Sequence, residues 1–125
     1  MSFEYSQSIK HARLQAVADH VGPGATLEFG DGDGMNVVLG VIRLASPPFN
    51  RPVDGRLELA GVPLIGVALA EGTVTTARIV DASGEVQIYD FTVGPVDSGA
   101  QVELISTKLH PGMEINLKEG VIVHA

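Results

Sequence analysis

Residues Ala77 to Val93 read ARIVDASGEVQIYDFTV and decide the fold class. Two apolar runs flank the short polar stretch Asp81-Ala82-Ser83-Gly84. Asp at the first position and Gly at the fourth suit a type I turn. The Asp side chain hydrogen-bonds the backbone that follows it, and Gly accepts the left-handed conformation that returns the chain. The flanks carry Ile79, Val80, Val86, Ile88, Tyr89, Phe91 and Val93, the β-branched and aromatic residues that fit a pleated surface. The stretch therefore predicts a β-hairpin, with strands over Thr73 to Asp81 and Glu85 to Val93.

Outward from the hairpin the same signals recur. Leu27 and Phe29 share one face of a strand beginning at Ala25. Asn36 to Leu44 is a strand with apolar residues on both faces, and Val62 to Ala70 is another. Ala45 to Gly55 holds three prolines and reads as an irregular excursion. Arg56 to Ala60 is a short strand. Pro63, lacking a backbone donor, belongs at a strand start, an edge or a bulge. Gln101 to Leu109 reads as one strand after the loop Gly94 to Gly99. His110-Pro111-Gly112 fits a type II turn. Met113, Ile115 and Leu117 alternate with Glu114 and Asn116, the cleanest one-sided strand in the chain. A turn at Lys118 to Gly120 then leads into Val121-Ile122-Val123.

Ser6 to Val21 is the one good helix candidate. Ser6 or Ser8 serves as N-cap, and Ile9, Leu14, Val17 and Val21 form a broad apolar face. Gly22-Pro23-Gly24 ends it. The expected architecture is a mainly β protein: a single antiparallel β-sandwich, jelly-roll-like, over residues 25–125, preceded by an N-terminal arm and one α-helix over 1–24. Helical crossovers, internal repeats and long linkers are absent from the pattern.

Bulk composition narrows the function classes. The 125 residues suffice for one hydrophobic core. A net charge of −7 without a Lys/Arg cluster disfavours nucleic acid and anionic lipid as partners. With no cysteine there is no thiolate nucleophile, disulfide or Cys-bound metal. No apolar run of about 18 residues predicts a transmembrane helix. The polar start MSFEYSQSIKHARLQ lacks a signal-peptide core, so synthesis in a cytoplasm is expected. Only 18% of residues are charged and the mean hydropathy is +0.24, which suggests surface buried in an assembly. The two strands apolar on both faces need cover from the helix, from a partner, or from both.

Candidate sites are few. His11, His20, His110 and His124 lack metal-ligand spacing. Asp31-Gly32-Asp33-Gly34 places alternating carboxylates on a flexible loop that a hard cation could use, but it lacks the further ligands of an EF-hand and reads better as a solvated turn. Ser46, Ser83, Ser98 and Ser106 stand outside any nucleophile motif. Most acidic residues, including Asp54, Glu71, Asp81, Asp97 and Glu119, fall at turns. No catalytic, cofactor-binding or metal-binding residue is assigned, and no enzyme activity is expected. Tyr5 and Phe49 are the aromatics most suited to exposure, few for a sugar-stacking surface.

Several segments carry a resemblance. Lys10-His11-Ala12-Arg13-Leu14-Gln15-Ala16-Val17 resembles a NARLDAI helix. Gly22-Pro23-Gly24-Ala25-Thr26-Leu27 resembles a Gly-Pro-Gly/Thr-Leu break. Leu44-Ala45-Ser46-Pro47-Pro48-Phe49 resembles a Leu-x-(Asp/Ser)-Pro-x-Phe segment, and Ala77-Arg78-Ile79-Val80-Asp81-Ala82-Ser83-Gly84 resembles FRIVDSDG. The ending from Val102-Glu103-Leu104 through Gly112-Met113-Glu114-Ile115 follows the same order of parts. This order is similar to that of small virion structural proteins of tailed bacteriophages and prophages. The chain departs from them in having no Trp before Arg78-Ile79-Val80 and no Ser/Thr-rich tract after the first strand. The resemblance implies a non-enzymatic capsid decoration or cement protein on the virion exterior. Its partners would be the major capsid protein and copies of itself, with a trimer as one option; such an oligomer would also protect sheet edges. A tail, baseplate or head-fibre location is the alternative within the virion. A carbohydrate-binding β-sandwich module and a small enzyme are the alternatives outside it.

Overall fold

The computed structural model describes residues 6–31, 38–45, 48–52 and 56–123. The chain opens with helix α1 (Gln7–Val21). Ser6 caps it in extended geometry, its Oγ accepting from the Ile9 N–H at 3.4 Å. Gly22, at φ 67°, ends it and donates its N–H to the Ala18 carbonyl at 3.1 Å. The buried face runs through Lys10, Leu14 and Val21, with Val17 and Ala18 packed beside them. Ile9 is not on it and stays exposed. At 100° per residue, Ile9 lies about 140° around the helix from Leu14, and the methylene stem of Lys10 takes its place.

Among the described residues ten strands follow: β1 (Thr26–Gly30), β2 (Val38–Arg43), β3 (Arg56–Glu58), β4 (Leu64–Ala68), β5 (Gly72–Thr73), β6 (Thr76–Val80), β7 (Val86–Pro95), β8 (Val102–Leu104), β9 (Lys108–Leu109) and β10 (Glu114–Val123). The protein is mainly β with one helix, as expected. The sheet is not a sandwich or jelly roll, however. Seven strands close into a barrel in the order β1-β2-β4-β10-β8-β7-β6, with β6 returning to β1, and β3 adds to the far half of β10. A two-stranded ribbon of β5 and β9 stands apart from it.

Two local devices close the ring. The first is the passage from β7 to β8. These neighbours are parallel, with Val93 opposite Val102 and Pro95 opposite Leu104, although parallel neighbours usually need a crossover of a dozen or more residues. Here residues 96–101 turn the chain back on itself. Thr92 and Gln101 bond reciprocally: the Gln101 N–H donates to Thr92 Oγ1 at 2.9 Å, and the Thr92 N–H donates to Gln101 Oε1 at 3.0 Å. The Glu103 carboxylate accepts from the Asp97 and Gly99 N–H groups at 3.3 and 3.2 Å. The second device is β10. It pairs with β4 through Glu114 to Leu117, with β8 through Leu117 to Gly120, and with β3 through Val121 to Val123. A β-bulge between Leu117 and Glu119 bends it. The turn expected at Lys118 to Gly120 is this bulge, inside one continuous strand. Likewise Gln101 to Leu109 is two strands, β8 and β9, broken at Ile105 to Thr107.

The barrel is filled by its own side chains, as small barrels are. Leu27, Phe29, Ile42, Leu57, Ile79, Leu104, Ile115 and Leu117 are fully buried, and Leu14 of α1 joins the same cluster. The Asp81–Gly84 turn forms as predicted, with the Gly84 N–H donating to the Asp81 carbonyl at 3.0 Å. The His110 turn also forms, closed by the Met113 N–H on the His110 carbonyl at 3.0 Å. Pro63 stands just ahead of β4, after a cis Val62–Pro63 bond.

Candidate functional site

The outward face of β4 departs from the division seen on its neighbour β10. On β10, Ile115 and Leu117 point in while Glu114 and Lys118 are exposed, the usual division for an antiparallel sheet wet on one side. On β4 the inward positions are Gly66 and Ala68. The outward ones are Ile65, Val67 and, one residue beyond the strand, Leu69, at 61%, 42% and 54% exposure. Three large aliphatic side chains therefore line up on a water-facing strand. Register places their neighbours. Val67 lies between Glu114 on β10 and Val41 on β2, and Ile65 lies beside Asn116 on β10. Arg43, two residues along β2 from Val41, shares its outward face and is exposed. Ile105, 60% exposed, donates its backbone N–H to the Asn116 carbonyl and extends the patch beyond β10. The stripe is thus bordered by a carboxylate on one side and a guanidinium on the other. Neither Arg43 nor Glu114 makes an ion pair with a described residue.

α1 does not cover this face. Its ridge of Val17, His20 and Val21 faces Gln87 and Ile88 on β7, across a groove of about 370 Å³. Of the two strands predicted to need cover, β2 has only Val41, half-buried, and Arg43 at its outward centre, so β4 alone presents an uncovered aliphatic face.

The residues weighed as chemistry fall elsewhere and do not converge. Asp81 accepts at one carboxylate oxygen from Ser83 Oγ at 2.6 Å and from the N–H groups of Ser83 and Glu85 at 2.9 and 3.0 Å; Gln87 donates to the other oxygen at 2.8 Å. These bonds, the Ser83 hydroxyl first, lower its pKa from 3.8 to about 2. The shift comes from turn closure. Asp31 accepts from Thr75 Oγ1 at 2.9 Å, while Gly32, Asp33 and Gly34 lie outside the described residues. His11 and His20 are exposed on α1, His110 pairs with Glu71 at 3.1 Å on the surface, and His124 lies outside the described residues. Ser83, Ser98 and Ser106 bond within their own loops, and Ser46 lies outside the described residues. Among the described residues no three His, Cys, Asp or Glu side chains gather as a metal site.

Phe49 is a correction. Expected to be exposed, it is 5% exposed and pairs with Leu59 in an isolated bridge, because Pro48 and Asn50 hydrogen-bond to Ala60 and Glu58 on either side of it. Among the described residues Tyr89, not singled out in the sequence, is the exposed aromatic, at 66%. Tyr5 lies outside the described residues. The apolar void inside the barrel, lined by Leu27, Phe49, Phe91 and Val102 among others, has room of about 10 Å³, the space of one water. A shallow groove of about 300 Å³ runs past Arg56, Gln101, Glu103 and Glu119.

The fold and the stripe define a closed, helix-bearing β-barrel with one unpartnered aliphatic face. The chain matches no protein-family model, no curated protein and no solved structure. No helix among the described residues is long and apolar enough to cross a membrane.

Proposed function

We propose that this protein is a non-enzymatic assembly component of a tailed-phage or prophage virion: a capsid decoration or cement protein, made in the host cytoplasm, that binds the outside of the major capsid protein lattice. The observation that carries the assembly reading is the stripe of Ile65, Val67 and Leu69 on the outside of β4. Apolar patches of this kind on a small domain mark contacts with other proteins. The virion reading rests on the resemblance of the helix, the Pro-Pro-Phe segment and the hairpin. The hairpin that carries the best part of it, Arg78 to Gly84, folds as a strand and tight turn. A net charge of −7 suits the outside of a shell better than contact with packaged DNA.

The test is reconstitution. Purified protein is mixed with shells lacking it, and bound copies per particle are counted by quantitative densitometry after sedimentation. Hundreds of copies per shell are expected. A handful per particle would move the protein to the tail, baseplate or a head fibre. No binding to shells or tails would refute the virion reading.

A further inference from the structure

We infer that the β4 stripe is a self-association surface, which seats a second copy of this chain around a two-fold axis running parallel to β4. This deepens the assembly reading and rests on it only in taking the stripe for a protein contact. The argument starts from shape. Barrels are convex, so two of them touch along a line, and here the aliphatic side chains lie in a line along one strand: Ile65, Val67 and Leu69. A two-fold contact uses the same patch on both copies, so the patch must complement itself.

The flanking charges select the axis. Glu114 borders Val67 on the β10 side and Val41 borders it on the β2 side; Arg43 stands two residues further along β2, which the antiparallel register, continued, sets level with Ile65. A two-fold axis along β4 lays β10 of one copy over β2 of the other. Each Val67 then meets its own counterpart. Arg43 of the second copy faces Asn116 directly, with Glu114 one pleat along in one direction, a displacement of roughly 7 Å for two residues, and Lys118 in the other direction, at the bulge that bends β10. Packed faces lie about 10 Å apart at the contact line; the flanking strands curve back from it, and the long Arg43 and Glu114 side chains lean across the wider gap. The alternative in-plane axis, perpendicular to β4, lays β10 over β10 and sets Glu114 against Glu114. Like charges brought together in this way select against that arrangement. The pairing also gives two groups that make no ion pair with a described residue a partner of opposite sign, twice per dimer. Ile105, beyond Asn116, widens the contact on the β10 side.

The test is a charge-reversal cycle on the full chain, read by sedimentation equilibrium and by size-exclusion with light scattering. Wild type is expected at twice the 13.1 kDa chain mass. Glu114→Arg and Arg43→Glu should each weaken dimerisation by about tenfold or more, because each places like charges across the contact. The double reversal should restore it. Both positions are exposed, so far-UV circular dichroism should be unchanged, and Val67→Lys serves as an independent disrupting variant. A wild-type monomer or trimer, or a double reversal that stays monomeric, overturns the inference. Shell binding measured in parallel separates the two readings. A monomer that coats shells overturns the dimer and leaves the virion function, and a dimer that binds no shell does the reverse.

Discussion

Replacing Gly84 by valine tests the hairpin turn through its backbone alone. Gly84 sits at φ +92°, and a Cβ built on it meets nothing within 4 Å. Any cost must therefore come from holding an L-residue at positive φ and not from a clash. For a β-branched residue that cost is about 1–2 kcal/mol. A chain of this length loses roughly 0.26 kcal/mol of stability per degree near its midpoint, so Tm should fall by roughly 4–8 °C. Gly84→Asn should lose less, since asparagine tolerates left-handed backbone. Gly66→Ala is the complementary case. Its φ is not in the left-handed region, yet a Cβ there would clash with the Val41 carbonyl oxygen and Ile42 Cγ1, across the β2–β4 seam. Overpacking against a backbone atom belongs at the upper end of the usual range, about 3 kcal/mol. Urea and thermal melts followed by circular dichroism measure all three. An unchanged Tm for Gly84→Val would refute the turn geometry, and a neutral Gly66→Ala would refute the close approach of β2 and β4.

Three further outcomes are expected. Asp81 titrates below its ordinary value in the folded protein, so its contribution to stability is present above pH 3.8 and is lost as pH falls toward about 2. The Tm gap between wild type and Asp81→Asn should therefore close as pH falls from 5 to 2, and a gap constant across that range would contradict the four-bond turn. Leu117→Ala removes a fully buried side chain at the β10 bend and should cost about 2–5 kcal/mol in urea unfolding; a loss under about 1 kcal/mol would place Leu117 outside the core. Arg78 Nε meets Glu28 Oε1 at 2.7 Å with both side chains about a quarter exposed, and a double-mutant cycle on the pair should give a coupling of about 1 kcal/mol, discounted for solvent screening. A coupling near zero would mean the contact is not maintained in solution.

Local structure was legible in the sequence wherever one residue type meets a specific backbone demand. Ser6 caps α1, Gly22 ends it, and Gly84 and Gly112 take the positive φ of their turns. Barrel closure was not legible, because a sandwich and a closed barrel share strand count, alternation and turn spacing. What separates them is pairing between distant strands. That pairing depends here on Glu103 and Gln101, which read as ordinary polar strand residues but hold the loop between β7 and β8 through side-chain bonds. It depends also on one extra residue at Lys118, whose polar surroundings resemble a turn as much as a bulge. Phe49 was misplaced for a related reason. Proline-rich sequence announces irregular backbone but not the surface that the segment lies against.

Closure also changes why this protein should assemble. An open sandwich offers two reasons, unpaired strand edges and strands apolar on both faces. A barrel removes the first, since all seven of its ring strands are paired on both sides. For the ring only the second remains, and the structure narrows it from two strands to one; among the described residues, open edges persist at β3 and the β5–β9 ribbon, outside the ring. A contact at the stripe is then made by side chains, because β4 lies between β2 and β10 within the ring. Edge pairing would survive most single substitutions, being carried by backbone hydrogen bonds. A side-chain stripe three residues long would not. Val67, at its centre and flanked by both neighbours, is where one charged substitution should do most to separate the partners while leaving the barrel intact.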